Sequence, residues 1–293
     1  MRFGFVETTP VRNSDGVTTN YFGVFLSADG NLLEGYMKAL GPRPLLRELL
    51  ANALARLLRL RVPDPHLVIC PPQVMSVPEA LPAPPTAGRV GRLLFATETA
   101  GISYARLNPQ PNLDGFPTDV AMKIFTEAAE HLPILLRNWA SLDTAILFDE
   151  WIANDDRNLG NFLLTDDDDI CLIDHERAFG GQEANFDDLA PELPSINSFL
   201  QWGYGEIGTE ANRRRLADAV HDSAALVPRD HVEAAVAKAW KAAAEIMDAG
   251  RSADAIHFLL ERWPLMDNLL LEKLPLPAAA GVVPSQNGEG VHG

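Results

Sequence analysis

The stretch from Ala145 to His175 limits the possible folds of this chain more than any other. Apolar residues run without interruption through Ala145-Ile146-Leu147-Phe148 and resume at Trp151-Ile152, as in a buried helix, and Ser141 or Asp143 can cap it. A polar loop follows, Asn154-Asp155-Asp156-Arg157-Asn158-Leu159-Gly160-Asn161. Two short apolar runs, Asn161–Leu164 and Ile170–Ile173, are separated by Thr165 and four consecutive aspartates. Runs this short, bounded by turn residues, read as two strands. A hairpin returns the chain to where it left, so Asp174 comes back beside the loop that holds Asp156 and Asn161.

The flanking sequence divides by composition. From Thr18 to Leu40 two β-rich runs surround the turn signal Ala28-Asp29-Gly30-Asn31, and the second run places Lys38 in an apolar strand. After Pro42 and Pro44 the spacing of Leu46, Leu50, Ala53, Leu57 and Leu60 predicts an amphipathic helix with one buried face, ended by Val62-Pro63. His66–Cys70 and Gly91–Glu98 read as strands, and the Pro-rich stretch between them as a surface connection. From Pro117 the pattern turns helical, with Pro133 at the first turn of a fresh helix. Residues from Leu189 to about Leu274 look mostly helical, and the tail from Pro275 looks disordered. The expectation is an α+β chain in two lobes: residues 1–98 strand-rich, residues 99–274 helical, and residues 275–293 a tail.

Asp156, Asn161 and Asp174 are the residues that carry chemistry. Phosphoryl transfer needs a positioned hydroxyl and cations that neutralise charge on the phosphate oxygens. One carboxylate to orient the hydroxyl, with an Asn oxygen and a second carboxylate for Mg²⁺, meets that need. In the protein-kinase-like scheme that this segment resembles, Lys38 would reach the α- and β-phosphates of ATP, and Glu48 on the following helix would pair with it. Taken singly, Lys38 reads as an exposed strand lysine and Glu48 as a solvated helix charge; together with the Asp156 segment they form a set. By order along the chain in that same scheme, the backbone near Phe95, Ala96, Thr97 and Glu98 is the expected adenine contact. Asn13-Ser14-Asp15-Gly16 is the candidate phosphate-covering loop, although it has a single glycine. Arg157 could steer phosphate or pair with a neighbouring carboxylate, and His175 could support Asp174 or be a buried hydrogen-bonding residue. Asp166–Asp169 lacks the glycine and distal glutamate of a calcium loop and reads as a charged hairpin turn.

Asp-x-x-x-x-Asn followed by an apolar strand and Asp resembles the catalytic core of protein-kinase-like enzymes. The spelling Asp156-Arg157-Asn158-Leu159-Gly160-Asn161, then Leu172-Ile173-Asp174-His175, is similar to the HipA-like kinases and more loosely to phosphoinositide kinases. The resemblance spans roughly Gly23 to Phe199. It implies a two-lobed kinase-like fold, Asp156 as catalytic base, Asn161 and Asp174 as metal ligands, ATP and Mg²⁺ as cofactors, and a protein serine or threonine as acceptor. The chain departs from both families at Asn158, where histidine is common. Two other readings stand beside this one. The first is a small-molecule kinase resembling aminoglycoside phosphotransferases; the second is a catalytically silent nucleotide-binding module that regulates a partner.

Charge and cysteine content exclude other classes. Residues 1–95 carry ten Lys+Arg against seven Asp+Glu, and the remainder fourteen against thirty-three. The only basic clusters, Arg56/Arg59/Arg61 and Arg213–Arg215, are small and read as polar helix faces, so no direct nucleic-acid partner is expected. An acidic second half can instead collect divalent cations shared with a nucleotide. Cys70 and Cys171 sit in apolar runs outside any metal-ligand spacing and read as buried free thiols in a reducing cytosol. The N-terminus lacks a signal-peptide core and no run of about eighteen apolar residues occurs. A soluble, cytoplasmic protein with no membrane partner is expected.

Overall fold

The computed structural model describes residues 3–13, 20–88, 90–108, 131–181, 184–205, 209–244, 246 and 252–274. The candidate loop residues 14–16, the stretch 117–130 and the tail from Pro275 lie outside them. The N-terminal strands are β1 (Gly4–Val6), β2 (Val11–Asn13), β3 (Asn20–Leu26), β4 (Leu32–Lys38), β5 (Pro65–Cys70), β6 (Leu81–Pro82) and β7 (Arg92–Glu98). They form one sheet in which β5, β7, β4 and β3 are successive neighbours. β1 pairs antiparallel with β3 and parallel with β5, so the sheet closes into a ring.

Strand alternation sorts residues to the two sides of that ring. Val6, Tyr21, Phe25, Met37, Val68, Cys70, Leu94 and Ala96 form one core cluster, which fills its inside. Leu67, Ile69, Leu93 and Phe95 point the other way and join a second, larger core. The expected turn between β3 and β4 is present. Ser27 accepts from Gly30 N–H at 3.0 Å, and Gly30 takes φ 86°, a left-handed conformation that glycine adopts without steric cost.

Helix α1 (Pro42–Leu57) lies on the outer face. It starts with proline at its first turn, where the missing N–H has no partner to lose. It ends earlier than the leucine spacing predicts, because Arg59 takes φ 60° and Leu60 N–H turns back to Ala55 O at 2.9 Å. Arg59 and Arg61 therefore lie beyond the helix. The single buried face also gives way to burial nearly all round: Leu45 to Asn52, Leu54 and Ala55 are buried, while Ala53 and Leu57 are only half-buried. Its leucines share a core with Leu67, Ile69, Leu93 and Phe95 of the sheet, and helix α7 (Arg229–Ala244) also packs against it.

A second sheet consists of β8 (Ile102–Ser103), β9 (Phe162–Leu164) and β10 (Ile170–Leu172), in the order β10-β9-β8. β7 and β8 thus belong to different sheets. The aspartate tetrad is the β9–β10 turn: Thr165 N–H donates to Asp169 O at 3.0 Å, and Asp168 takes φ 59°. Arg61 reaches both oxygens of Asp167 at 2.6 and 2.7 Å, and Trp139 Nε1–H donates to Asp169 Oδ1 at 2.8 Å.

Among the described residues the other α-helices are α2 (Tyr104–Leu107), α3 (131–138), α4 (Leu142–Trp151), α5 (Ser198–Tyr204), α6 (Glu210–Ala224), α8 (Ser252–Arg262) and α9 (Met266–Lys273). α4 is the innermost, with Ala145 to Trp151 fully buried. Ser141 precedes it without a side-chain capping bond, and Asp143 lies in its first turn. Buried Glu150 accepts from Arg262, Lys273 and Ser195, so α4 is tied to α8, to α9 and to the segment before α5. No described helix is long and apolar enough to cross a membrane. Both cysteines are buried and free, and burial pushes both thiols up, Cys171 to about 12.

Candidate functional site

Lys38 ends β4 on the face turned toward α1, and there it meets Glu48. Its Nζ donates to Glu48 Oε1 at 2.9 Å and to Asp174 Oδ1 at 2.7 Å, a residue 136 positions further along the chain. A third carboxylate, Glu176 Oε2, lies 3.4 Å away. Burial alone would depress the lysine, but Glu48, Asp174 and Glu176 outweigh it and hold the ammonium well above its ordinary range. Burial likewise disfavours the Glu48 carboxylate, yet Lys38 and then His175 draw its pKa down to about 2. The lysine is therefore a half-buried cation held by carboxylates, not the exposed strand lysine that its position alone would suggest.

Asparagine side chains bonded to main-chain groups fix the loop between α4 and β9. Asn161 Nδ2–H donates to Asp156 O at 2.8 Å, and Asn154 Oδ1 accepts from Asp156 N–H at 3.3 Å. Asn158 closes the loop, its Oδ1 accepting from Gly160 N–H at 2.9 Å and its Nδ2–H donating to Asp156 O at 3.3 Å. Ile173 N–H donates to Asn161 O at 3.1 Å, which brings the residue before Asp174 onto the loop. Asp174 itself takes φ 62°, a left-handed conformation that aspartate tolerates better than most residues. The carboxylate of Asp156 projects from the loop, half-buried, with the exposed Arg177 guanidinium at 3.2 Å. Burial raises its pKa, Arg177 opposes that, and Asp174 and Asp155 add to it.

Arg157 does not face the opening. Its side chain is fully buried and forks onto both oxygens of Asp149, at 2.9 and 2.8 Å. Of its two open roles, pairing with a carboxylate is the observed one. His175 is also buried, with Nδ1 at 3.6 Å from Glu48 Oε2 and its ring edge-on to Phe148. Thr97 and Glu98 lie two and three residues along β7 from Phe95, the register partner of Lys38. Thr99 N–H donates to Glu34 O at 3.1 Å, toward β4. Alternation then turns the Thr97 backbone into the β4 ladder and the Glu98 backbone to the other side, where β5 begins only at Pro65, opposite Thr97.

Hence Lys38, Glu48 and Asp174 converge through side chains, and the Asn161 side chain meets the Asp156 main chain. The sequence reading missed Glu176, Asp149 and Arg177. Strand alternation could not have found Glu176, because the strand ends at Leu172 and Asp174 takes φ 62°. Oxygen atoms of Glu48, Asp174 and Glu176 all lie within 4.8 Å of one another. Asn161 spends its amide N–H on Asp156 O, which leaves its side-chain oxygen as an acceptor. Carboxylate and amide oxygens are the hard donors that Mg²⁺ takes, so the residues present fit that ion.

No protein-family model matches the chain, and no curated protein matches it. Solved structures do match. One is the Helicobacter pylori proinflammatory kinase CtkA, 13% identical, with a TM-score of 0.48 over 90% of this chain and 97% of that one. The open conformation of CtTel1 is 12% identical, with a TM-score of 0.39 over 91% of this chain and 11% of that one. The MAP kinase LmaMPK10 from Leishmania major is 11% identical, with a TM-score of 0.29 over 95% of this chain and 89% of that one. At such scores the functional reading rests on the chemistry of the site itself.

Proposed function

We propose that this chain is an ATP-dependent phosphotransferase of two-lobed, protein-kinase-like architecture. Following its resemblance to HipA-like kinases, we take a protein serine or threonine as the acceptor. The observation that carries the reading is the position of Lys38 Nζ, 2.9 Å from Glu48 and 2.7 Å from Asp174. A lysine held by one carboxylate of a neighbouring helix, beside a second that follows a strand hairpin, is poised for a nucleotide's phosphates. In this scheme Lys38 contacts the α- and β-phosphates and Glu48 holds it there. Asp174 and Asn161 would hold Mg²⁺, which supplies charge neutralisation to the phosphate oxygens. Asp156 accepts the acceptor's hydroxyl proton as the oxygen–phosphorus bond forms and the bond between the γ-phosphorus and the ADP oxygen breaks. The Glu98 backbone faces the edge where an adenine can pair. Two buried free thiols are in keeping with a reducing cytosol as its compartment.

The test is transfer of labelled γ-phosphate from ATP, with Mg²⁺, to a cell lysate separated into protein and small-molecule fractions. Label on protein serine or threonine is the expected result. Label confined to the small-molecule fraction would replace the acceptor class with that of aminoglycoside phosphotransferases. Nucleotide binding without any transfer would leave a silent regulatory module, and no Mg²⁺-dependent binding at all would overturn the reading.

A further inference from the structure

We propose that Arg157 is a positioning residue for this phosphoryl transfer, acting through main chain and not by touching substrate; the inference rests on the phosphotransferase reading. The guanidinium offers five N–H groups in a rigid fork, and here the fork reaches three separate segments. Nε and one terminal nitrogen donate to the two oxygens of Asp149 on α4, at 2.9 and 2.8 Å. The other terminal nitrogen donates to Asn161 O at 2.8 Å and to Ile173 O at 2.9 Å. Asn161 is one proposed metal ligand, and Ile173 directly precedes the other, Asp174. One side chain therefore sets the spacing between the helix, the Asp156–Asn161 loop and the residue that launches Asp174.

Stability alone gives little reason for an arginine at this place. A fully buried ion pair is commonly no better for stability than apolar groups of similar volume, because both charges lose water. What apolar groups cannot do is hold two carbonyls at a fixed separation. A lysine would keep the charge but has one nitrogen, which cannot replace a fork across Asp149, Asn161 and Ile173. Asp149 is itself braced, accepting from Asn154 Nδ2–H at 2.9 Å, so the anchor of the tether is fixed to the start of the same loop. The Asp174 backbone, at φ 62°, has a narrow range of permitted conformations, so its carboxylate goes where Ile173 places it.

The test uses the full chain with two variants, Arg157→Lys and the double variant Asp149→Leu/Arg157→Met. Thermal melting, turnover per folded molecule and the Mg²⁺ concentration for half-maximal binding of a fluorescent ATP analogue are measured on each. Residues that orient metal ligands typically change metal affinity by about 10–100-fold, and a rise of that size in the Mg²⁺ requirement is expected in both. The double variant replaces the buried pair with apolar groups and should remain folded while showing the same loss. A purely structural arginine would lower the melting temperature but leave the Mg²⁺ requirement and the turnover of folded molecules unchanged. That result in either folded variant overturns the proposal, as does failure of both variants to fold. A parent chain that binds no nucleotide with Mg²⁺ overturns the phosphotransferase reading itself, and the inference falls with it.

Discussion

Asp156→Asn separates chemistry from architecture at this site. The contacts that hold the loop use the Asp156 main chain: its N–H donates to Asn154, and its carbonyl accepts from Asn161 and Asn158. An asparagine keeps all three and nearly the same volume. What it loses is the contact of a half-buried carboxylate with exposed Arg177 at 3.2 Å. Such partly solvated pairs are worth about 0–1 kcal/mol. In a chain of this size that is a shift of roughly 0–4 °C in melting temperature. Removing a general base, by contrast, costs about 10²–10⁴ in rate. Binding of ATP with Mg²⁺ should stay near the parental level, because Asn161 and Asp174 are untouched. Melting, nucleotide binding and single-turnover phosphoryl transfer are measured on one preparation. A variant that transfers phosphate at the parental rate per folded molecule removes Asp156 from the mechanism, whatever its melting temperature.

Three further outcomes are expected. Lys38→Met should abolish or strongly lower turnover and also destabilise the fold, because Glu48 and Glu176 lose the ammonium they share. Breaking a buried pair costs about 3–5 kcal/mol, or roughly 6–20 °C of melting temperature, and parental melting would show that Lys38 is not their counterion. Asp174→Asn tolerates the left-handed backbone and should melt near the parent, yet lose Mg²⁺-dependent nucleotide binding in calorimetry; unchanged affinity at saturating Mg²⁺ refutes the role. Glu48 has a folded-state pKa drawn from 4.5 down to about 2, so the unfolded chain binds its proton more readily across that window. Its contribution is present above pH 4.5 and fades as pH falls toward 2, so in urea unfolding the loss of stability over that range should be smaller for Glu48→Gln than for the parent.

Legibility differed by the range of the interactions. The Asp156–Asp174 unit was readable because each part is local: an apolar helix, a polar loop and a hairpin closed by its own turn. Lys38 with Glu48 was readable too, being ten residues apart across one strand-to-helix connection. The closed sheet was not, because β1 pairs with β5 across more than sixty residues and no local pattern encodes that register. Alternation along β5 and β7 was masked because both faces of these strands are buried, one inside the ring and one under α1. For the same reason α1 showed one leucine stripe in sequence yet is buried nearly all round, its second side covered by α7. Arg157 was readable as charged but not as buried, since its partner Asp149 lies on a helix that sequence alone reads as an apolar run.

The exposure of the carboxylates around Lys38 assigns them different roles. The Glu48 and Glu176 side chains are 4% and 6% exposed, whereas Asp174 is 27% exposed. An ion arriving from solvent can reach Asp174 and can hardly reach the other two. The buried pair also has the stronger reason to keep the lysine, because a carboxylate deprived of both water and counterion is costly. Asp174 can exchange Lys38 for a cation, since water and ligand can share its charge. The arrangement, one ammonium among three carboxylates, carries two net negative charges and so repels a bare polyphosphate. On the proposed reading, a divalent cation held by Asp174 would offset that charge, and Lys38 would keep Glu48 and Glu176 as partners. Under that reading metal and nucleotide would enter together, with Glu48 and Glu176 keeping Lys38 within reach.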